Sequence, residues 1–113
     1  MKFPKWQKGL QGSGYYVLTL INNKFFKFDF HILRYPEGSY ILPHQDPAKP
    51  GYKHYRLNVV VKKSAAGGHF LCQKPLFKTR RIALFRPDID LHSVTRVSMG
   101  TRYVISIGWL KKS

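Results

Sequence analysis

Apolar and polar residues alternate with a period of two over much of this chain. Within residues 24–35, Phe26, Phe28, Phe30 and Ile32 fall on one side, and Lys27, Asp29, His31 and Leu33 on the other. That is the period of a β-strand. Residues 15–21 are apolar, β-branched and aromatic, a second strand signal. Asn22 and Asn23 between them mark a turn, because asparagine tolerates positive φ. Residues 15–35 are therefore predicted to form a hairpin. Further strands are predicted at residues 39–42, 55–62, 69–72, 80–85, 91–94 and 101–110. Turns at 36–38, 47–51 and 64–68 separate them, Pro87 stops one of them, and residues 75–79 read as loop. No segment carries a helical period with caps, and at most a short helical turn is expected near the N-terminus. Many short strands between Gly and Pro turns predict an all-β sandwich or jelly roll with little or no helix.

Composition narrows the setting. The 113 residues fit one domain, assigned to residues 15–113, with one modest core. Residues 1–14 carry Lys2, Lys5 and Lys8 around Trp6 and read as a loose basic arm with one aromatic anchor. The lone Cys72 excludes an intramolecular disulfide framework. No apolar run approaches the ~20 residues of a membrane span, and residues 1–6 lack the apolar stretch of a secretory signal. A cytoplasmic protein without a membrane partner is expected. Twenty Lys and Arg against five acids, net +15, create a positive field that argues for an acidic or nucleic-acid partner. Lys49, Lys53, Arg56, Lys62 and Lys63, interleaved with Tyr52, His54 and Tyr55, are spaced to track a phosphate backbone with ring stacking. Arg56 is the candidate substrate contact among them.

The candidate chemistry lies at His44-Gln45-Asp46 and His92. Residues two apart on a strand point to one side, so a His-x-Asp pair can converge on one ion. A second histidine completes two imidazoles and one carboxylate, a set that suits non-haem Fe(II) and leaves coordination sites open. With only Asp29, Glu37, Asp46, Asp88 and Asp90 available, Asp46 is the acid with a histidine at ligand spacing. Ten residues after His92, Arg102 sits in an apolar strand with no acid near it in sequence. A buried guanidinium needs a partner, and a dicarboxylate held in two-pronged fashion would provide one. Arg96 is the second choice for that role.

The segments 34–46, 67–70, 82–87, 91–97 and 100–103 occur in the order found in the Fe(II)/2-oxoglutarate-dependent dioxygenases, and the chain resembles their prolyl-hydroxylase-like branch over roughly residues 30–110. The resemblance implies a double-stranded β-helix, a cupin-like jelly roll with the metal at its open mouth. It implies His44, Asp46 and His92 as iron ligands, Arg102 as anchor of 2-oxoglutarate, and O2 as second cosubstrate. Tyr35 matches the position of a tyrosine that reaches the cosubstrate. Asn58, on a strand expected to line the barrel, is a candidate contact to the same ligand, and His69, after Gly67-Gly68, is a candidate substrate contact. The implied reaction is hydroxylation of a C–H bond on a macromolecule, either a protein side chain such as prolyl or a nucleic acid.

Three departures qualify the likeness. A serine common two residues after the arginine is here Val104, so hydroxyl help is left to Thr101 or Ser106. No arginine follows Arg102, which counts against the nucleobase demethylases. Almost nothing precedes the first strand, where relatives carry buttressing helices; either a minimal core forms a homodimer or it accepts an exposed macromolecular substrate. Two other classes stay open: a basic nucleic-acid-binding module on the same fold without turnover, and a cupin-like metal enzyme of different chemistry.

Overall fold

The computed structural model describes residues 4–9 and 12–113; the parts of the predicted arm at residues 1–3, 10 and 11 lie outside them. Twelve strands follow one another: β1 (Trp6–Lys8), β2 (Tyr16–Asn23), β3 (Phe28–Tyr35), β4 (Ile41–His44), β5 (Tyr52–Lys62), β6 (Ala66–Gly67), β7 (Phe70–Cys72), β8 (Phe77–Lys78), β9 (Ile82–Phe85), β10 (His92–Val94), β11 (Val97–Met99) and β12 (Arg102–Lys112). The described residues contain no helix, and so none long and apolar enough to cross a membrane.

The strands form two layers. The larger is a seven-stranded antiparallel sheet in the order β1-β2-β3-β12-β5-β9-β8. The smaller consists of β4-β10-β7 and the pair β11-β6. The core between them joins Tyr35 and Val104 of the large sheet to Val94 and Val97 of the small one, with Tyr15 beside them. This is the predicted all-β jelly roll.

The two faces of the large sheet differ. Along β12, Arg102, Val104, Ser106 and Gly108 are buried and alternate with more accessible residues, so the former face the core. The latter face outward and continue across the sheet by direct cross-strand pairing, which keeps paired residues on one side. One outward row runs Trp6, Leu18, Ile32, Ile105, Val59, Ile82. The next runs Ile21, Phe30, Ile107, Leu57, Leu84, Phe77.

Several predicted boundaries move. The turn at Asn22-Asn23 lies at residues 24–27 instead. Asn23 stays paired with Phe28, and its Oδ1 accepts the Phe26 backbone N–H at 2.9 Å, fastening the turn from the strand end. Phe26 thereby leaves the stripe it shares with Phe28 in sequence and is 70% exposed. Residues 75–79, read as loop, contain β8, whose two residues are too few to show a period. Residues 6–8 of the supposedly loose arm pair with β2, and the Arg34 guanidinium lies 4.4 Å from the Trp6 ring centroid.

Gly67 holds β6 against β11. Its φ is +74°, and a Cβ there would collide with the Arg96 carbonyl oxygen and approach the Ser98 nitrogen to 2.8 Å. Both the left-handed backbone and the contact oppose a side chain. Gly67→Ala is expected to lower the unfolding free energy by about 2–4 kcal/mol, seen as a reduced urea midpoint with unchanged slope.

Candidate metal centre and basic cavity

His44 ends β4 and His92 begins β10, and the two residues are paired across those strands. Asp46 lies two residues beyond β4, on a loop fastened by its own N–H to the Pro87 carbonyl (2.7 Å) and by Gln45 Nε2 to the Ile89 carbonyl (2.9 Å). One potential ligand atom from each of the three residues lies within 4.8 Å of the other two. Asp46 Oδ1 is 3.4 Å from His44 Nε2, and Oδ2 is 3.2 Å from His92 Nε2.

Both imidazoles are oriented in the same way. His44 Nδ1 lies 2.8 Å from the Leu42 carbonyl oxygen and His92 Nδ1 2.8 Å from that of Asp90. A carbonyl only accepts, so each Nδ1 carries a proton, and each Nε2 faces the Asp46 carboxylate, which accepts its N–H when the ring is protonated. A metal would take the place of those protons, and a proton fixed on Nδ1 prepares a histidine for that exchange. Burial acts to raise the Asp46 carboxyl, but the hydrogen bond to His92 and the charges of His44, His92 and His54 outweigh it and hold it below the usual carboxylate range. His92 is buried against Phe85 at 5.1 Å between ring centroids and Phe70 at 6.3 Å. The donor set, the Nδ1 hydrogen bonds that orient both rings and the ionised carboxylate fit Fe(II).

Arg102 opens β12 opposite Tyr35 and is 5% exposed. Its guanidinium lies 5.2 Å from the Tyr35 ring centroid. Desolvation lowers its pKa, against the opposing pull of the phenol, and burial raises that of Tyr35. All five acids of the chain are engaged elsewhere: Asp29 with Arg56 and His31, Asp46 with the two histidines, Asp88 with Arg86, Asp90 with the backbone N–H groups of Gln73 and Lys74, and Glu37 with that of Gly100. Among the described residues Arg102 is thus a buried cation without an acid. Gly68 leaves it room, since a Cβ there would come within 3.3 Å of Arg102 Cδ and closer still to Ser64 Oγ and Val97 Cγ2.

Arg102 lines a cavity of about 530 Å³ together with Asn58, Phe70 and Ala83. The cavity and the histidine–aspartate cluster meet at Phe70, which lines the one and packs on His92 of the other. Lys63, Lys78, Arg80 and Arg81 are also on its wall, and no acid is. Asn58 Oδ1 is buried without a hydrogen-bond partner, an acceptor left for a bound molecule or water. His69 is exposed and lines the same cavity. Tyr35 does not line it, and lies buried beside Arg102.

Arg56 is placed differently from a free basic rim residue. Its Nη2 pairs with Asp29 at 2.9 Å, and Nη1 donates to Ser106 Oγ at 2.8 Å. The charge is already matched, and the Ser106 hydroxyl serves Arg56. Sequence reasoning missed this network. Its signal was present in the strand period, since Asp29, Arg56 and Ser106 all occupy inward positions. It also missed Lys78, Arg80 and Arg81 as cavity residues, because the segment around β8 carries no pattern of its own.

No family model matches the sequence, and no curated protein matches it. Solved structures do match. A predicted oxalate decarboxylase from Thermotoga maritima aligns with TM-score 0.66 at 15% identity, over 96% of this chain and 93% of that one. A cupin-2 domain protein from Rhodospirillum rubrum gives 0.61 at 10% identity, over 97% and 70%. A viral collagen prolyl hydroxylase from Paramecium bursaria Chlorella virus 1, in a 2OG complex, gives 0.54 at 22% identity over 77% of this chain, which spans only 60% of that protein. At these identities the likeness carries architecture: two antiparallel layers, no helix among the described residues and cupin neighbours over nearly the whole length together make this chain a cupin-type jelly roll.

Proposed function

We propose that this protein is an Fe(II)- and 2-oxoglutarate-dependent dioxygenase that hydroxylates a C–H bond of an acidic macromolecule. The observation that carries the reading is the coexistence of a two-histidine, one-aspartate cluster with a buried arginine that none of the five acids engages. His44, Asp46 and His92 would hold the iron. Arg102 matches the far carboxylate of a dicarboxylate in charge and in its two-pronged geometry. A fully ionised dicarboxylate has no proton to donate, so Asn58 would meet it through its NH₂ group, with Oδ1 accepting from water. When bound, iron and cosubstrate supply the oxidising chemistry: 2-oxoglutarate, O2 and a substrate C–H become succinate, CO2 and C–OH. The viral prolyl hydroxylase neighbour supports this assignment.

The basic cavity wall supports an acidic substrate. A protein side chain stands ahead of a nucleic-acid base because no arginine follows Arg102. Taken alone, the same wall favours a second reading, a polyanion-binding module without turnover. Its binding would be independent of metal and steep in salt.

The test is anaerobic addition of Fe(II) and 2-oxoglutarate, followed by absorbance. The expected result is the weak visible charge-transfer band of the chelate, and cosubstrate consumption once O2 is admitted. A folded protein that gives neither would overturn the dioxygenase assignment. Metal binding without any response to 2-oxoglutarate would point to another cupin chemistry.

A further inference from the structure

We infer that the outer face of the seven-stranded sheet is the interface of a homodimer. The two outward rows described above hold twelve residues, and all twelve are apolar. Phe28, Trp109 and Tyr55 extend them on one side through the same pairings. None of the twelve is buried, and at one edge the Arg34 guanidinium lies over the Trp6 ring. Trp6, Ile21, Phe77 and Ile82 at its margins are 36–54% exposed. Continuous apolar area of this kind marks an interaction surface.

Size and charge point to a second copy as the occupant. At ~4.8 Å between strands and ~6.8 Å between side-chain rows, the twelve residues and the three that extend them cover on the order of 500 Å² in plan per copy. Side-chain relief raises the accessible area toward the ~800 Å² per partner of a standard interface. The chain carries +15, yet the two rows contain no basic residue for an acidic partner to grip. A second copy offers the same uncharged rows, and a two-fold axis makes the match self-complementary. Arg34 and Lys62 border one end of the face, in register with Tyr103, and Lys53 and Lys111 the other. An orthogonal crossing of the sheets keeps the apolar rows in contact and carries these basic ends apart. Their mutual repulsion gives a signature: salt screens it, so the dimer tightens as salt rises, whereas a polyanion complex weakens. The β8–β9 hairpin connects the interface to function. Phe77 and Ile82 lie on the face, and the neighbouring Lys78 and Ala83 line the basic cavity, so a partner would clamp the cavity wall.

The test is sedimentation of the intact chain over a micromolar concentration range at low and at higher salt. A species of twice the chain mass is expected, favoured by salt. Ile107→Lys, at the centre of the face, is expected to weaken association at least 100-fold. If that variant is unfolded by circular dichroism, Phe77→Lys at the exposed margin decides, with about tenfold weakening expected in a native fold. A wild-type protein that stays monomeric throughout, or a dimer of unchanged affinity in the folded variant, overturns the inference. Neither result bears on iron or cosubstrate binding, which is read by absorbance.

Discussion

Arg102→Met is expected to weaken 2-oxoglutarate binding by on the order of 100-fold or more, while leaving the protein at least as stable as wild type in the absence of cosubstrate. The two halves of this result have one origin. A guanidinium that is 5% exposed and unpaired by any of the five acids bears a desolvation cost that folding has to carry. An apolar chain of similar length removes that cost. With the dicarboxylate present the balance reverses, because truncating one partner of a buried charge pair costs roughly 2–5 kcal/mol, and 1.4 kcal/mol is tenfold in affinity. Arg102→Lys keeps the charge, loses the fork and is expected to fall between. Titration of the anaerobic Fe(II) chelate band measures the affinity, and urea unfolding measures the stability. A variant that loses stability and keeps its 2-oxoglutarate affinity would show that Arg102 is a structural residue.

His92→Ala is expected to abolish metal-dependent stabilisation. A ligand that binds only the native state adds about 2.7 kcal/mol at 100 times its Kd. For a chain of this size that is roughly 10–20 °C in Tm, at 4–8 °C per kcal/mol. Wild type heated with saturating Mn(II), a redox-quiet stand-in for Fe(II), should show such a rise. The variant should show almost none, since two ligands hold a divalent ion far less firmly than three. The comparison is between shifts with and without metal, because removing the ring from between Phe70 and Phe85 also lowers the baseline. An undiminished shift in His92→Ala would place the ion elsewhere. Asp46→Ala should behave like His92→Ala.

The cluster was legible in sequence for a local reason. His44 and Asp46 are two residues apart, and the scarcity of acids left few other carboxylates to consider. Arg102 was legible by contrast, as a cation inside an apolar strand. Arg56 was misjudged from the same evidence. A basic residue among tyrosines and lysines reads as surface, yet strand alternation turns it inward toward Asp29, which is 27 residues away. The β8 strand and the moved turn at 24–27 were illegible because two-residue strands have no period and asparagine serves a strand end as readily as a turn.

By itself the sequence determined what depends on near neighbours: strand period, turn chemistry, the absence of helical segments, the His-x-Asp spacing and the excess of positive charge. The tertiary structure alone decided which strands pair and in what register. Register brings His44 opposite His92, leaves Arg102 without an ion pair to any of the five acids and lines up twelve apolar side chains on one outer face. These are relations between residues tens of positions apart. They arise only when antiparallel pairing commits every side chain of a strand to one face or the other.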